Sequence, residues 1–177
     1  LKPKSHPATE RLEDAYDRHY PAIYRYFRYR GADADTANDL ASAVFERALA
    51  NLGRFDPGRA RIQTWLFAIA RNLSINHWKA EKPTLPLDDD LSLPEEIPLE
   101  QVVILTQDRE QILRALQSIN DRAREILALK FGGPLTNRQI AELTGLTESN
   151  VGIILYRSLL KLRTLLATDP MESRHDR

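Results

Sequence analysis

The stretch TNRQIAELTGLTESNVGIILYRSLLKLRTLL, residues 136–166, carries two helical patterns that meet across a tight turn at Gly145. Thr136 and Gln139 stand three apart, the spacing of a capping box at a helix start. Thr147 can cap the second helix. Gly145 suits a turn position of positive φ, which glycine adopts without a steric cost. The spacing predicts core positions at Ile140, Ala141, Leu146, Val151, Ile154 or Leu155, and Leu159. Ala141 is small, as a close helix crossing requires. This is the layout of a helix-turn-helix, whose second helix lies in a DNA major groove.

That second helix has a polar start and a cationic flank. Glu148, Ser149 and Asn150 are followed by Arg157, Lys161 and Arg163, with no acid between Val151 and Leu166. Cations on the flank of a groove-facing helix position it on phosphates, and Asn150 can bond an adenine edge, a phosphate or its own helix end. Gly152 offers no side chain to a base, whereas Ile153 can meet a thymine methyl or turn inward. An ordinary helical hairpin with solvated cations is the competing reading.

Bulk properties exclude more than they identify. The chain has 177 residues, 42% of them hydrophobic, room for one domain or two small ones. It has no cysteine, so neither disulfides nor thiolate metal sites are available. His6, His19, His77 and His175 are scattered, and no metal or cofactor site is expected. No nucleophile–base arrangement or phosphate-cradling glycine loop occurs, so an enzyme is not expected. No apolar run is long enough to span a bilayer, and a cytoplasmic protein without membrane insertion is expected. The 25 basic and 25 acidic residues cancel, unlike a protein that binds DNA by charge alone.

Upstream, PTLPLDDDLSLPEEIPLE at 83–100 has four prolines and charges of one sign only. Proline stops helices and like charges repel, so this reads as a flexible acidic linker. The expected fold is all-α: two small helical domains, 10–80 and 103–167, joined by a linker at 81–102. In the first, Leu12, Ala15, Tyr16, Ile23, Tyr24 and Phe27 recur at helical spacing, as do Ala37, Leu40, Ala41, Val44, Phe45, Ala48 and Leu49. Asp33 or Asp35 can cap the latter helix. A turn-rich segment follows, NLGRFDPGRAR at 51–61, and then a helix from about Arg61 to Lys79 with an apolar stripe at Ile62, Leu66, Ile69 and Leu73. The second domain begins with helices near 106–118 and 121–130, the latter stopped by Gly132, Gly133 and Pro134.

Residues 51–79 combine Arg54, Arg59, Arg61, Arg71 and Lys79 with Phe55, Trp65, Phe67, Trp78 and the amides of Asn72 and Asn76, against one acid, Asp56. Cations that hold a backbone beside aromatics and amides that receive unstacked bases suit single-stranded or melting DNA. Trp65, Phe67 and Trp78 can equally be core residues.

Taken in order, YDRHYPAIYRYFRYR (16–30), DLASAVFERAL (39–49), FDPGRARIQTWLFAIARNLSINHWK (55–79) and residues 115–163 resemble a bacterial RNA polymerase sigma factor of the small extracytoplasmic-function type. The W-L-x-x-I-A-x-N segment at 65–72, paired with the downstream helix-turn-helix, carries the resemblance. It implies a subunit that binds core RNA polymerase, directs it to promoters and helps melt the −10 region. By residue, it implies polymerase docking through Asp39, Leu40, Val44, Phe45 and Arg47. It implies −10 contacts, in duplex and melted strand, through Asn51, Arg54, Phe55, Arg59, Arg61, Asn72, Asn76 and Lys79. It implies −35 contacts through Thr147, Ser149, Asn150, Ile153, Arg157 and Lys161. An inhibitory anti-sigma protein is a further implied partner. Ser42-Ala43, Asn76 and Gly152 depart from the family pattern, which implies weaker polymerase and promoter contacts. The alternatives are a helix-turn-helix regulator acting on duplex DNA without the polymerase, and a sigma-like adaptor that reads DNA poorly.

Overall fold

A computed structural model describes residues 7–79 and 109–168, and every described element is helical. The proposed linker core, 81–102, lies outside them. The N-terminal unit holds α1 (Pro7–Arg30), α2 (Ala34–Ala50), a short 3-10 turn (Leu52–Arg54) and α3 (Ile62–Lys79). The C-terminal unit holds α4 (Arg109–Gln117), α5 (Asp121–Leu127), a π-helical turn (Ala128–Gly132), α6 (Asn137–Thr144) and α7 (Glu148–Thr168).

Local chemistry sets the boundaries. Asp33 caps α2 by accepting from the Thr36 amide at 2.7 Å, and that bond holds its carboxyl below the usual range. Asn120 caps α5 in the same way, through the Ala123 amide at 2.8 Å. Of the two caps the sequence offers for α2, Asp33 is the one used. α1 continues through Pro21, whose exposed position places the disturbed backbone toward solvent.

The core of the N-terminal unit is Ile23, Tyr26 and Phe27 from α1, Ala37, Ala41, Val44 and Ala48 from α2, and Leu66, Phe67 and Ala70 from α3. The spacing in α1 picks out Tyr24 and Tyr16, but Tyr26 is the fully buried tyrosine and Tyr16 is exposed. In α3 the buried stripe is Leu66, Phe67, Ala70, Leu73 and Ser74; Ile62 and Ile69 are only half-buried. The stripe is rotated because α3 is covered from two sides, by its own unit and by the C-terminal one.

That second cover is the main departure from two domains that merely share a chain. The buried residues of both units form one continuous cluster. The π-helical turn lies directly on α1: a Cβ at Gly132 would stand 2.8 Å from the Tyr26 Cα. A Cβ at Gly133 would stand 2.7 Å from the Phe67 ring. Two glycines therefore act here through close approach of backbone, beyond ending a helix. Tyr26, sealed beneath this contact, has its phenol pushed up to about 12 by burial.

Polar contacts ring the junction. The Arg30 guanidinium, almost fully buried, donates to Ser74 Oγ at 3.0 Å and to the Asp121 carbonyl at 2.9 Å. It also pairs with the Asp121 carboxylate at 3.1 Å and lies 4.9 Å from the centre of the Trp78 ring. Arg71 meets Glu125 at 3.0 Å. Gln63 donates to the Gly133 carbonyl and Gln139 to Thr64 Oγ1, both at 3.0 Å.

Candidate nucleic-acid interface

The loop between α2 and α3 is built on an aromatic floor. Asn51 closes α2 by donating its side-chain amide to the Arg47 carbonyl at 2.8 Å, so it serves the backbone first. Asp56 accepts from the Gly58 amide at 2.9 Å and pairs with Arg59 at 3.7 Å, which shapes the loop tip. Beneath it the Phe55 and Trp65 rings lie 4.9 Å apart, tilted by 34°, both half-buried. Trp65 is thus neither deep core nor a free platform: one face supports Phe55 and the loop. Arg54, Arg59 and Arg61 are exposed around it.

α3 divides its residues between two faces. Asn72, Asn76 and Lys79, at i, i+4 and i+7, form one exposed polar ridge. Phe67, Arg71, Ser74 and Trp78 turn toward the junction with the C-terminal unit. Phe67 is core outright and Trp78 is spent on Arg30 and on His77, whose ring meets it edge-on at 4.9 Å. Of the aromatics in this segment, Phe55 and Trp65 remain beside the loop.

The helix-turn-helix forms as its sequence predicts. The Gln139 amide donates to Thr136 Oγ1 at 3.2 Å, and Gln139 Oε1 accepts from the Thr136 amide at 2.9 Å, a complete capping box. Gly145 has φ 74° and its amide closes α6 onto Ala141 at 2.9 Å. The Asn150 amide donates to Thr147 Oγ1 at 3.2 Å, which caps α7. Along α7, Val151, Leu155, Ser158 and Leu162 are buried, so Leu155 fills the inward position that the sequence left open between it and Ile154. Ser149, Ile153, Arg157 and Lys161, four apart, run along the other side; Ile153 is half-buried and the other three are exposed. Thr147 spends its hydroxyl on the cap. Lys130, which the sequence reading overlooked, reaches this motif by donating to Asn137 Oδ1 at 2.9 Å.

The expected docking helix is α2. Asp39 and Arg47 are exposed and Leu40 is half-buried, whereas Val44 and Phe45 are buried. Those two hold the helix on its core and do not present a surface. Phe45 sits in an aromatic group with Tyr16 at 4.7 Å and Tyr20 at 6.0 Å. Leu49, read as core, is instead more than half exposed. A period of 3.6 marks a stripe without fixing how wide its buried part is.

Among the described residues no cluster of histidine or carboxylate groups could hold a metal, and no helix is long and apolar enough to cross a membrane.

Two family models match this architecture in order: Sigma-70 region 2 over residues 15–84 and Sigma-70, region 4 over residues 109–162. The chain belongs to the extracytoplasmic-function branch of the sigma-70 family. It is 31% identical over 158 residues to the ECF RNA polymerase sigma factor BldN of Streptomyces coelicolor, covering 87% of this chain and 60% of BldN. It is 29% identical over 167 residues to the RNA polymerase sigma factor YlaC of Bacillus subtilis, covering 92% of this chain and 96% of YlaC. Among solved structures, the fold is similar to RpoE of Bartonella quintana in complex with the anti-sigma factor NepR. That likeness has a TM-score of 0.69 at 18% identity and covers 90% of this chain and 99% of that one. The region 2 match takes in α1–α3 with the aromatic-floored loop, and the region 4 match takes in the helix-turn-helix.

Proposed function

We propose that this chain is a promoter-recognition subunit that joins core RNA polymerase, places it at specific promoters and helps open the −10 region. The observation that carries this is the pairing, on one chain, of two unlike surfaces. One is a cationic loop on an aromatic floor beside the Asn72–Asn76–Lys79 ridge, suited to unstacked bases. The other is a capped helix-turn-helix with cations along its recognition helix, suited to duplex DNA. A duplex-only regulator has no use for the first.

In this reading, residues 10–80 grip polymerase and the −10 element, 103–167 read the −35 element, and 81–102 join them. Docking falls to the outward side of α2, with exposed Asp39 and Arg47 and half-buried Leu40. Base capture falls to Phe55, Arg54, Arg59 and Arg61, and the ridge tracks the adjoining strand. Upstream contacts come from Ser149, Asn150, Ile153, Arg157 and Lys161. The role is binding without catalysis, in the cytoplasm, and an inhibitory protein partner is part of it. Two modest grips act together because capture of one raises the effective concentration of the other.

Reconstituted transcription with core RNA polymerase over a library of promoter fragments is the test. Products that start at defined sites and require both halves of the chain support the reading. Stable operator binding without polymerase, and no product with it, would favour a duplex-DNA regulator and overturn it.

A further inference from the structure

The recognition helix α7 has no side chain at Gly152, and the helix before it covers that place. A Cβ built at Gly152 would meet the Nδ2 atom of Asn137, at 3.9 Å. Asn137 is the first residue of α6, directly after the Thr136 cap. Its other amide atom, Oδ1, accepts from the Lys130 ammonium at 2.9 Å. Lys130 belongs to the π-helical turn, and both side chains are half-buried.

The chemistry of this pair fixes its direction. An ammonium has donors only, so the amide oxygen must face Lys130 and the amide nitrogen must face away. That nitrogen ends beside Gly152 with two N–H groups and no hydrogen-bond partner among the described residues. The start of α6 does not need it, because the Thr136–Gln139 box already closes that end. In a groove-bound helix-turn-helix the recognition helix enters by its first turns, while the helix before it crosses the sugar–phosphate backbone. Asn137 stands where the two meet.

We propose that Lys130 and Asn137 form a phosphate anchor in place of the side chain that Gly152 lacks. Asn137 Nδ2 donates to one backbone phosphate of the upstream duplex, and Lys130 is the positioning residue that aims it. The proposal rests on the function argued above. A donor held in one orientation loses little freedom on binding. A cation on the amide oxygen also polarises the amide and strengthens its N–H groups as donors. The contact is charge-assisted and carries no sequence information. It lies about 14 Å along α7 from Lys161, at the helical rise of nine residues. The recognition helix is thereby held on the backbone at two separated points, which fixes its angle in the groove.

The experiment uses holoenzyme, formed from core RNA polymerase and the full chain, on promoter fragments that the wild type selects from the library. Asn137→Ala should weaken fragment binding about tenfold, the loss of one hydrogen bond to a charged group. Asn137→Asp keeps a partner for Lys130 but turns the donor into an anion, and should weaken binding about 30-fold or more. Its melting temperature should nevertheless hold or rise, because an acid in the first turn of a helix is favoured. A pair with only a structural role would move both quantities together. Lys130→Met should weaken binding about threefold, should add nothing once Asn137→Ala is present, and should be largely rescued by Lys130→Arg. Neutral methylphosphonates, placed one at a time along the fragment, should reveal a phosphate whose neutralisation weakens the wild type and leaves Asn137→Ala unchanged. Asn137→Asp within twofold of the wild type, an additive effect of Lys130→Met, or the absence of such a phosphate overturns the anchor. Should Lys130→Met lose helix content in circular dichroism, the phosphate scan with Asn137→Ala decides. A wild-type holoenzyme that selects no fragment removes the proposed function instead. The pair is then judged on the full chain alone with a mixed-sequence duplex at low salt. There, weaker binding by Asn137→Asp keeps the anchor, and equal or absent binding overturns it.

Discussion

The two candidate DNA surfaces are unequal at their centres. The N-terminal one has a solid floor: Phe55 rests on Trp65, and α3 beneath is anchored by Leu66, Phe67 and Ala70. The C-terminal one has a gap at the equivalent place. Gly152 lies in the first turns of the recognition helix, where a built Cβ would meet only the Asn137 side-chain amide, at 3.9 Å. In the proposed reading, one surface offers preorganised contact to opened strand; the other offers capping and cations one to three turns further along. The proposal accordingly places specific recognition more heavily on the N-terminal surface, with the helix-turn-helix supplying orientation and upstream affinity.

The sharpest way to break that comparison is to empty the N-terminal ridge. Replacing Asn72, Asn76 and Lys79 together by alanine should reduce open-complex formation by at least about 100-fold, since each lost base or backbone contact costs roughly 1–3 kcal/mol. All three are exposed, so helix content and melting temperature should hardly move. Permanganate reactivity of the −10 strand measures the effect, and a change below threefold would refute the ridge as a strand contact. Trp65→Ala comes next. It removes the loop's support and, at a half-buried site, should cost about 3 kcal/mol of stability in a denaturant titration. It should also lower opening about tenfold while leaving the affinity of the −35 duplex unchanged.

Smaller effects are expected from the other surface. Arg157→Ala and Lys161→Ala should each weaken duplex binding about three- to tenfold, and each should reduce the salt slope by about one. They should do so equally on all sequences, because phosphate contacts position without reading. A sequence-dependent loss at Arg157 would mean that the recognition helix reads bases further along than its polar first turn.

Much of this was legible in the chain because it depends on near neighbours. The Thr136–Gln139 box, the αL turn at Gly145, the Thr147 cap and the polar ridge of α3 are all set within a few residues. Both family matches fall where the motifs did, at 15–84 and 109–162. What escaped depends on distant partners. That Phe67 and Ser74 face inward, and that Tyr26 rather than Tyr24 is sealed, follows from the C-terminal unit covering α1 and α3. Periodicity within one helix cannot register a cover that arrives from residues 121–133. Arg30 shows the same limit: in sequence it is one cation among several near a helix end, and its burial appears only with Ser74, Trp78 and Asp121 around it. The same holds for Val44 and Phe45, which family resemblance offers as docking residues and which the fold commits to the core.

The gap at Gly152 gives the mildest and most discriminating prediction. Its backbone is helical and nothing crowds a Cβ there, so Gly152→Ala should gain the helix propensity that glycine forgoes, about 0.5–1 kcal/mol, or a rise of a few degrees in melting temperature. Duplex affinity should stay within twofold, because a methyl group reaches no base. Gly152→Lys should keep part of the stability gain and also strengthen −35 duplex binding several-fold, since its amine can reach a phosphate from the same turn as Ser149. If Gly152→Ala instead destabilises the chain, the site is tighter than its 3.9 Å neighbour implies. If it stabilises but Gly152→Lys adds no affinity, this turn of α7 does not face the groove. The reading side would then pass to the Arg157 and Lys161 flank, and the inequality between the two surfaces would be one of position instead of a missing side chain.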